Sequence, residues 1–147
     1  MQQDDVEFSL NAGIGLITLN RPQQKNTITA RMIEQIGELY RRCDSDDAVK
    51  VVVVTGKGSA FCAGADLSGG GATFGEQQDM DFSSCPFPFQ AWQVRKPVIA
   101  ACNGHAIGVG LSMALQCDLR IFASDARYGL LQNRRGVVAD NAVEYLL

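Results

Sequence analysis

The chain has 147 residues, 46% of them hydrophobic and 20% charged, with a formal net charge of −3. This is the composition of one globular domain with a buried core, and the acidic balance gives no electrostatic footprint for nucleic acid. Cys43, Cys62, Cys85, Cys102 and Cys117 are an odd set without metal-ligand spacing, and Met1-Gln-Gln-Asp-Asp-Val6 lacks the basic and apolar regions of a signal peptide. The expectation is reduced, buried thiols, no bound metal and a cytoplasmic location. No apolar run reaches membrane-spanning length.

In chain order, residues 6–10 and 14–19 are strand-like runs separated by Asn11-Ala-Gly13, a hairpin signal, and Asn20-Arg-Pro22 ends the second run. Thr29 can cap a helix whose apolar positions Met32, Ile33, Ile36, Leu39, Tyr40 and Cys43 share one face. Gly37 costs that helix about 1 kcal/mol against alanine. Residues 49–54 are too apolar to alternate, which predicts a strand covered on both faces. Residues 68–88, rich in Gly, Ser, Asp and Phe, read as a loop or lid. A short helix is predicted over 87–94, containing Trp92 and broken by Lys96-Pro97; a strand follows over 98–102, a helix over 110–116, a strand over 119–123 and a short extended piece at Tyr128-Gly129.

Two stretches carry more chemistry than the rest. Lys96-Pro-Val-Ile-Ala-Ala-Cys-Asn-Gly-His-Ala-Ile-Gly-Val-Gly110 reads as a buried strand, a glycine turn and a helix start, a junction able to aim backbone N–H groups at an anion. Val51-Val-Val-Val-Thr-Gly56 followed by Ala60-Phe-Cys-Ala-Gly-Ala-Asp-Leu67 is a second junction of this kind. Taken singly, either glycine turn is no more than a tight connection. Two of them could supply two convergent donors, the minimum for an oxyanion hole.

Together these segments resemble the crotonase (enoyl-CoA hydratase/isomerase) superfamily. Asn20-Arg-Pro-Gln-Gln-Lys-Asn-Thr27, Cys117-Asp118 and Arg127-Tyr-Gly129 extend the likeness over nearly the whole chain. The resemblance implies an α/β fold, the crotonase-like spiral of repeated strand-strand-helix units, and a scaffold for acyl-CoA thioesters, with coenzyme A arriving as part of the substrate and no separate cofactor. It implies oxyanion donors in the N–H groups of Ala65, after Gly64, and of Val109, between Gly108 and Gly110. Val109 stands where the family usually has glycine, and a β-branched residue there could narrow the pocket or tilt the amide. Lys25 resembles the basic position near the CoA phosphates, a solvated loop lysine being the equal alternative. Ala63, Asp66 and Leu67 match the segment that lines the adenine and pantetheine, while Lys57 and Arg95 are weaker candidates, since charged residues at loop edges are normally just exposed.

The acid/base groups are where the chain departs from the family. Hydratases of the family use two glutamates, and the resemblance places those positions at Ser112 and Gln132. An amide does not titrate, and a serine hydroxyl needs an activating partner to act as a base. Counting from Gly136, Asp140 matches an aspartate that dienoyl-CoA isomerases, hydroxyisobutyryl-CoA hydrolases and chlorobenzoyl-CoA dehalogenases carry near the acyl group. It serves equally well as the N-cap of a following helix, with Glu144 in that helix's first turn. His105, the one histidine, reads as packing or hydrogen bonding near the turn, and Arg134-Arg135 as a solvent-facing basic pair.

Two functional readings from different classes remain: an enolate-stabilising acyl-CoA enzyme, and a non-catalytic acyl-CoA-binding protein of the same fold. A dinucleotide-binding turn on Gly108-Val-Gly110 fails because Met113 stands where the third glycine should be, and Val54-Thr-Gly-Lys57 lacks P-loop spacing. Family members are longer, with C-terminal helices that help build a trimer and close over the acyl group. Val143-Glu-Tyr-Leu-Leu147 ends in an apolar run without a C-cap. Residues 1–147 are therefore expected to be a crotonase-like core domain lacking that helical region, and the assembled protein a homotrimer or dimer of trimers that binds acyl-CoA thioesters, not nucleic acid or membrane.

Overall fold

The computed structural model describes residues 4–68 and 87–135. Strands β1 (Val6–Asn11) and β2 (Ile14–Leu19) pair antiparallel with Asn11 opposite Ile14. Ala12 and Gly13 take φ of 49° and 83°, the left-handed pair that a two-residue hairpin turn with the strands' own twist requires. Helix α1 (Ala30–Ser45) begins at Thr29, whose side chain accepts the Met32 N–H at 3.2 Å. It buries Met32, Ile36, Tyr40 and Cys43 on the sheet, flanked by Ile33 and Leu39. The glycine inside it has a packing reason: a Cβ on Gly37 would lie 2.5 Å from Pro88 Cγ. At the other end of α1 the Lys96 ammonium donates to the carbonyls of Cys43 and Asp46, satisfying C-terminal acceptors.

A five-stranded sheet has the order β1-β2-β3-β5-β7, with β3 (Val51–Gly56), β5 (Val98–Cys102) and β7 (Leu119–Phe122) parallel to β2 and to one another. Asp118 fixes the last pairing by accepting the Val98 N–H on its carboxylate at 2.8 Å while its own N–H donates to the Val98 carbonyl at 2.9 Å. A second, three-stranded parallel sheet contains β4 (Ala60–Cys62), β6 (His105–Ile107) and β8 (Tyr128–Gly129). Each large strand turns a corner into one small strand: β3 into β4, β5 into β6, β7 into β8. Helix α2 (Val109–Leu115) follows β6 directly. The corners stack so closely that a Cβ on Gly104 would lie 2.1 Å from the Ser59 carbonyl oxygen. Three successive coils of strand, corner and strand are the spiral that the sequence implied.

Three expectations change. Strand β3 does alternate: Val52 and Val54 are 0% and 1% exposed, while Val51 and Val53 are only half-buried. Valine at every position hides the period, because both faces carry the same residue. The helix expected over 87–94 is a single 3₁₀ turn, Ala91–Gln93, closed by reciprocal bonds between Gln90 and Gln93, and it leaves Trp92 44% exposed. The third change is that β6 is a strand in its own right between the glycine corner and α2, where a turn alone was expected. The thiols of Cys43, Cys62, Cys102 and Cys117 are free and buried, and burial pushes those of Cys62, Cys102 and Cys117 up to about 12. Residues 69–86, which include Cys85 and most of the expected lid, lie outside the described residues, as do Asp140 and Glu144. Among the described residues no helix is long and apolar enough to cross a membrane.

Candidate functional site

The site forms where β4 and β6 end. They are neighbouring parallel strands, with Ala60 opposite His105 and Cys62 opposite Ala106, so the chain leaves both at the same edge. After β4 the backbone runs through Ala63, Gly64 and Ala65. Gly64 takes φ of 113°, and a Cβ there would meet only the Ile107 carbonyl at an ordinary 3.5 Å. Conformation, not space, therefore demands glycine at this position, and the same holds for Gly108, with φ 54° and ψ −123° and nothing nearer than 3.8 Å. Gly110 is the opposite case. A Cβ on it would lie 2.3 Å from the Cys62 carbonyl oxygen, which means that α2 rests directly on the backbone of β4.

The hydrogen bonds around Ala65 fix the direction of its amide. Ile28 pairs with Ala65 as a parallel bridge, its N–H donating to the Gly64 carbonyl at 2.8 Å and its carbonyl accepting the Asp66 N–H at 2.8 Å. In such a bridge the two neighbours of Ala65 make the bonds, so the N–H of Ala65 points away from Ile28, toward β6. Val109 is the first residue of α2, where an N–H has no intrahelical acceptor. Among the described residues neither amide donates to a backbone carbonyl. Ala65 is exposed, whereas the Val109 side chain is 7% exposed and turned into the core.

Ser112 and Gln132 converge on the same turn. Ser112 is fully buried and its hydroxyl donates to the Gly108 carbonyl at 3.2 Å, parallel to the 3.0 Å bond from its own N–H. The Gln132 carboxamide lies beside Gly108, its Cδ 3.8 Å from where a Cβ would stand. The turn thus has a hydroxyl on one side and an amide on the other, neither of which is an anion near neutral pH.

Lys25 is exposed, with φ 51°, and its carbonyl accepts the Ala63 N–H at 3.0 Å. Its backbone borders the Ala63–Ala65 segment, and its ammonium makes no ion pair among the described residues. The Asp66 carboxylate accepts from Arg21 Nη1 at 2.8 Å and from the Ser68 N–H at 2.9 Å. The Ser68 bonds first and the Arg21 guanidinium second hold its carboxyl down at about 2. Leu67 is half-buried beside it. Lys57 pairs with Glu7 at 3.6 Å and Arg95 with Asp44 at 3.0 Å. His105 Nδ1 accepts the Arg127 N–H at 2.9 Å, a structural bond that ties β6 to the approach of β8. Arg134 is exposed. Among the described residues no cluster of three or more His, Cys, Asp or Glu could hold a metal ion.

The residue that sequence reasoning passed over is Asn26. It is 0% exposed, has φ of 55°, accepts the Arg21 N–H on Oδ1 at 2.8 Å, and donates from Nδ2 to the carbonyls of Ala60 at 2.8 Å and Lys57 at 3.0 Å. An asparagine inside a proline-started turn, a residue type that tolerates φ above zero, was the available signal.

A family model described as enoyl-CoA hydratase/isomerase matches residues 9–147. The chain is 39% identical over 136 residues to the enoyl-CoA hydratase ACTT3 of Alternaria alternata, covering 92% of this chain and 46% of that protein. A crystal structure described as a probable enoyl-CoA hydratase/isomerase from Mycobacterium abscessus superposes with a TM-score of 0.88 at 40% identity, over 96% of this chain and 54% of that one. An enoyl-CoA hydratase from Mycobacterium tuberculosis superposes with a TM-score of 0.81 at 31% identity, over 99% and 56%. The chain spans about half the length of the curated relatives it matches.

Proposed function

We propose that this chain, which belongs to the enoyl-CoA hydratase/isomerase (crotonase) family, grips the carbonyl oxygen of an acyl-CoA thioester between the N–H groups of Ala65 and Val109. The observation that carries this reading is the parallel pairing of β4 with β6, which brings the Gly64 and Gly108 turns to one edge. Adjacent strands run about 4.8 Å apart, a spacing from which two donors can each reach one shared oxygen at about 2.9 Å. Charge that moves onto that oxygen as an enolate forms is stabilised by both, each donor of this kind being worth roughly 3 to 4 kcal/mol in other enzymes. Lys25, at the rim, is suited to the phosphates of the CoA moiety, and Ala63, Asp66 and Leu67 to the wall along its pantetheine arm.

Simple two-glutamate water addition is not the reaction we assign, because the positions the resemblance gives to those glutamates hold Ser112 and Gln132. The reading that remains is an isomerase-, dehydratase- or hydrolase-like enolate chemistry with Asp140 as the carboxylate. A second reading, an acyl-CoA-binding protein without turnover, is favoured by the Ser112 hydroxyl being bonded to the Gly108 carbonyl. On either reading residues 1–147 form a core domain, and the assembled protein is a homotrimer or a dimer of trimers.

Calorimetric titration with crotonyl-CoA and with free CoA, followed by a hydration assay, tests the assignment. Crotonyl-CoA is expected to bind more tightly than CoA. Hydration is expected to fall well below about 10 per second, since each missing acid/base group costs about 10²- to 10⁴-fold. Asp140→Asn should lower turnover of the true substrate at least about 10²-fold with acyl-CoA affinity kept if the protein is an enzyme. Failure to bind any short, medium or aromatic acyl-CoA would remove the whole reading.

A further inference from the structure

Among the described residues, the neighbour of the Ala65 segment on its outer side is the irregular loop Arg21–Ile28. Among the described residues, the bonds that hold the Gly64–Ala65 peptide from this side run through the loop: the Ala63 N–H donates to the Lys25 carbonyl at 3.0 Å, the Ile28 N–H to the Gly64 carbonyl at 2.8 Å, and the Asp66 N–H to the Ile28 carbonyl at 2.8 Å. The loop has little regular structure of its own, a single 3₁₀ turn over Pro22–Gln24 and two consecutive residues, Lys25 and Asn26, at φ of 51° and 55°. It is fastened at two points. Asn26 pins its middle to the β3–β4 corner by its bonds to the Lys57 and Ala60 carbonyls. Arg21 pins its start, donating from Nη1 to the Thr27 carbonyl at 2.7 Å and to the Asp66 carboxylate at 2.8 Å.

We propose that Asn26 and the Arg21–Asp66 pair are positioning residues for the Ala65 amide, the loop between them acting as a strut that sets the angle of the Gly64–Ala65 peptide toward the thioester oxygen. This rests on the function proposed above. Asn26 touches no substrate. Its action is through the Ile28 bonds, and a displacement of about 1 Å at a reacting centre is enough to cost about 10²-fold in rate.

The test is the absorption of bound 4-dimethylaminocinnamoyl-CoA, a thioester whose band moves to the red when its carbonyl is polarised, read at saturating protein so that affinity does not enter. Variants are Asn26→Gly, which keeps the positive φ and removes all three side-chain bonds, and Asp66→Asn, which removes the charge that pairs with Arg21. Cys43→Ala, at a residue buried on α1 with its sulfur against Gly15 of β2, supplies a control that destabilises without removing any bond of the strut. A red shift in the parent that is at least halved in both variants and unchanged in the control supports the proposal. A full shift in either folded variant overturns it, and if Asn26→Gly fails to fold, Asp66→Asn decides alone. A parent protein that binds the probe with no red shift is the distinct result that removes the oxyanion reading itself.

Discussion

Gly110→Ala is a substitution whose effect can be worked from the structure in both directions. Alanine in place of glycine inside a helix ordinarily gains about 1 kcal/mol. Here the added Cβ would lie 2.3 Å from the Cys62 carbonyl oxygen, 2.7 Å from Cys62 Cβ and 2.9 Å from its sulfur. All three belong to a residue that is 0% exposed, and the nearest is backbone, so no side-chain swing relieves the contact. To restore ordinary contact, near 3.4 Å, α2 must move off β4 by about 1 Å. Overpacking of this kind costs about 1 to 3 kcal/mol, which cancels or outweighs the helix gain and leaves a net loss of up to about 2 kcal/mol. The same movement carries the Val109 amide away from that of Ala65, and about 1 Å of misplacement costs about 10²-fold in rate. Urea unfolding should show an equal or lower midpoint with an unchanged slope, and acyl-CoA binding should weaken. A Gly110→Ala protein more stable than the parent by the full helix gain of about 1 kcal/mol would show that α2 does not rest on the β4 backbone, and the juxtaposition of the two turns would lose its support.

Two further outcomes follow from the titrating groups. The Cys62, Cys102 and Cys117 thiols, pushed up to about 12 by burial, stay protonated at pH 8 and should resist iodoacetamide in the native protein while reacting after unfolding; mass spectrometry counts the adducts, and rapid native labelling of any of them contradicts the packing. Being raised above the unfolded value of about 8.5, these groups contribute stability that is complete below that pH and is lost as pH rises toward the folded value. Asp66 runs the other way: its carboxyl is held at about 2, so its contribution is complete above the unfolded value of about 3.9 and is lost as pH falls toward the folded one. Asp66→Asn should flatten the thermal-midpoint profile between about pH 4 and pH 2, and an unchanged profile would mean that the Arg21 and Ser68 bonds do not form in solution.

The hairpin and helix α1 were legible because short-range chemistry specifies them: a turn that needs two positive φ values beside alternating residues, and a capped 3.6-residue stripe. The two glycine-bearing junctions were equally legible as backbone devices. What escaped was contact between distant segments. Val51 to Val54 hide their alternation because every position is valine, and Gly37 reads as a liability until Pro88 is seen against it. Strand β6 is three residues long, too short to show a period, and pairs along the parallel edge that β4 offers it. Asn26 and Arg21 lay within a recognised motif, yet their work is done on the carbonyls of Lys57 and Ala60 and on Asp66, more than thirty residues away.

The central claim, that the Ala65 and Val109 amides share one thioester oxygen, is met most directly by the infrared carbonyl stretch of acetyl-CoA labelled with ¹³C at the thioester, measured free and bound to the protein. Two convergent donors polarise the bond, so the labelled stretch is expected to move to lower frequency on binding, and to recover part of that displacement in Gly110→Ala. A bound thioester whose carbonyl stretch equals or exceeds its frequency in water would mean that the two amides do not face it, and the account would fail at its centre.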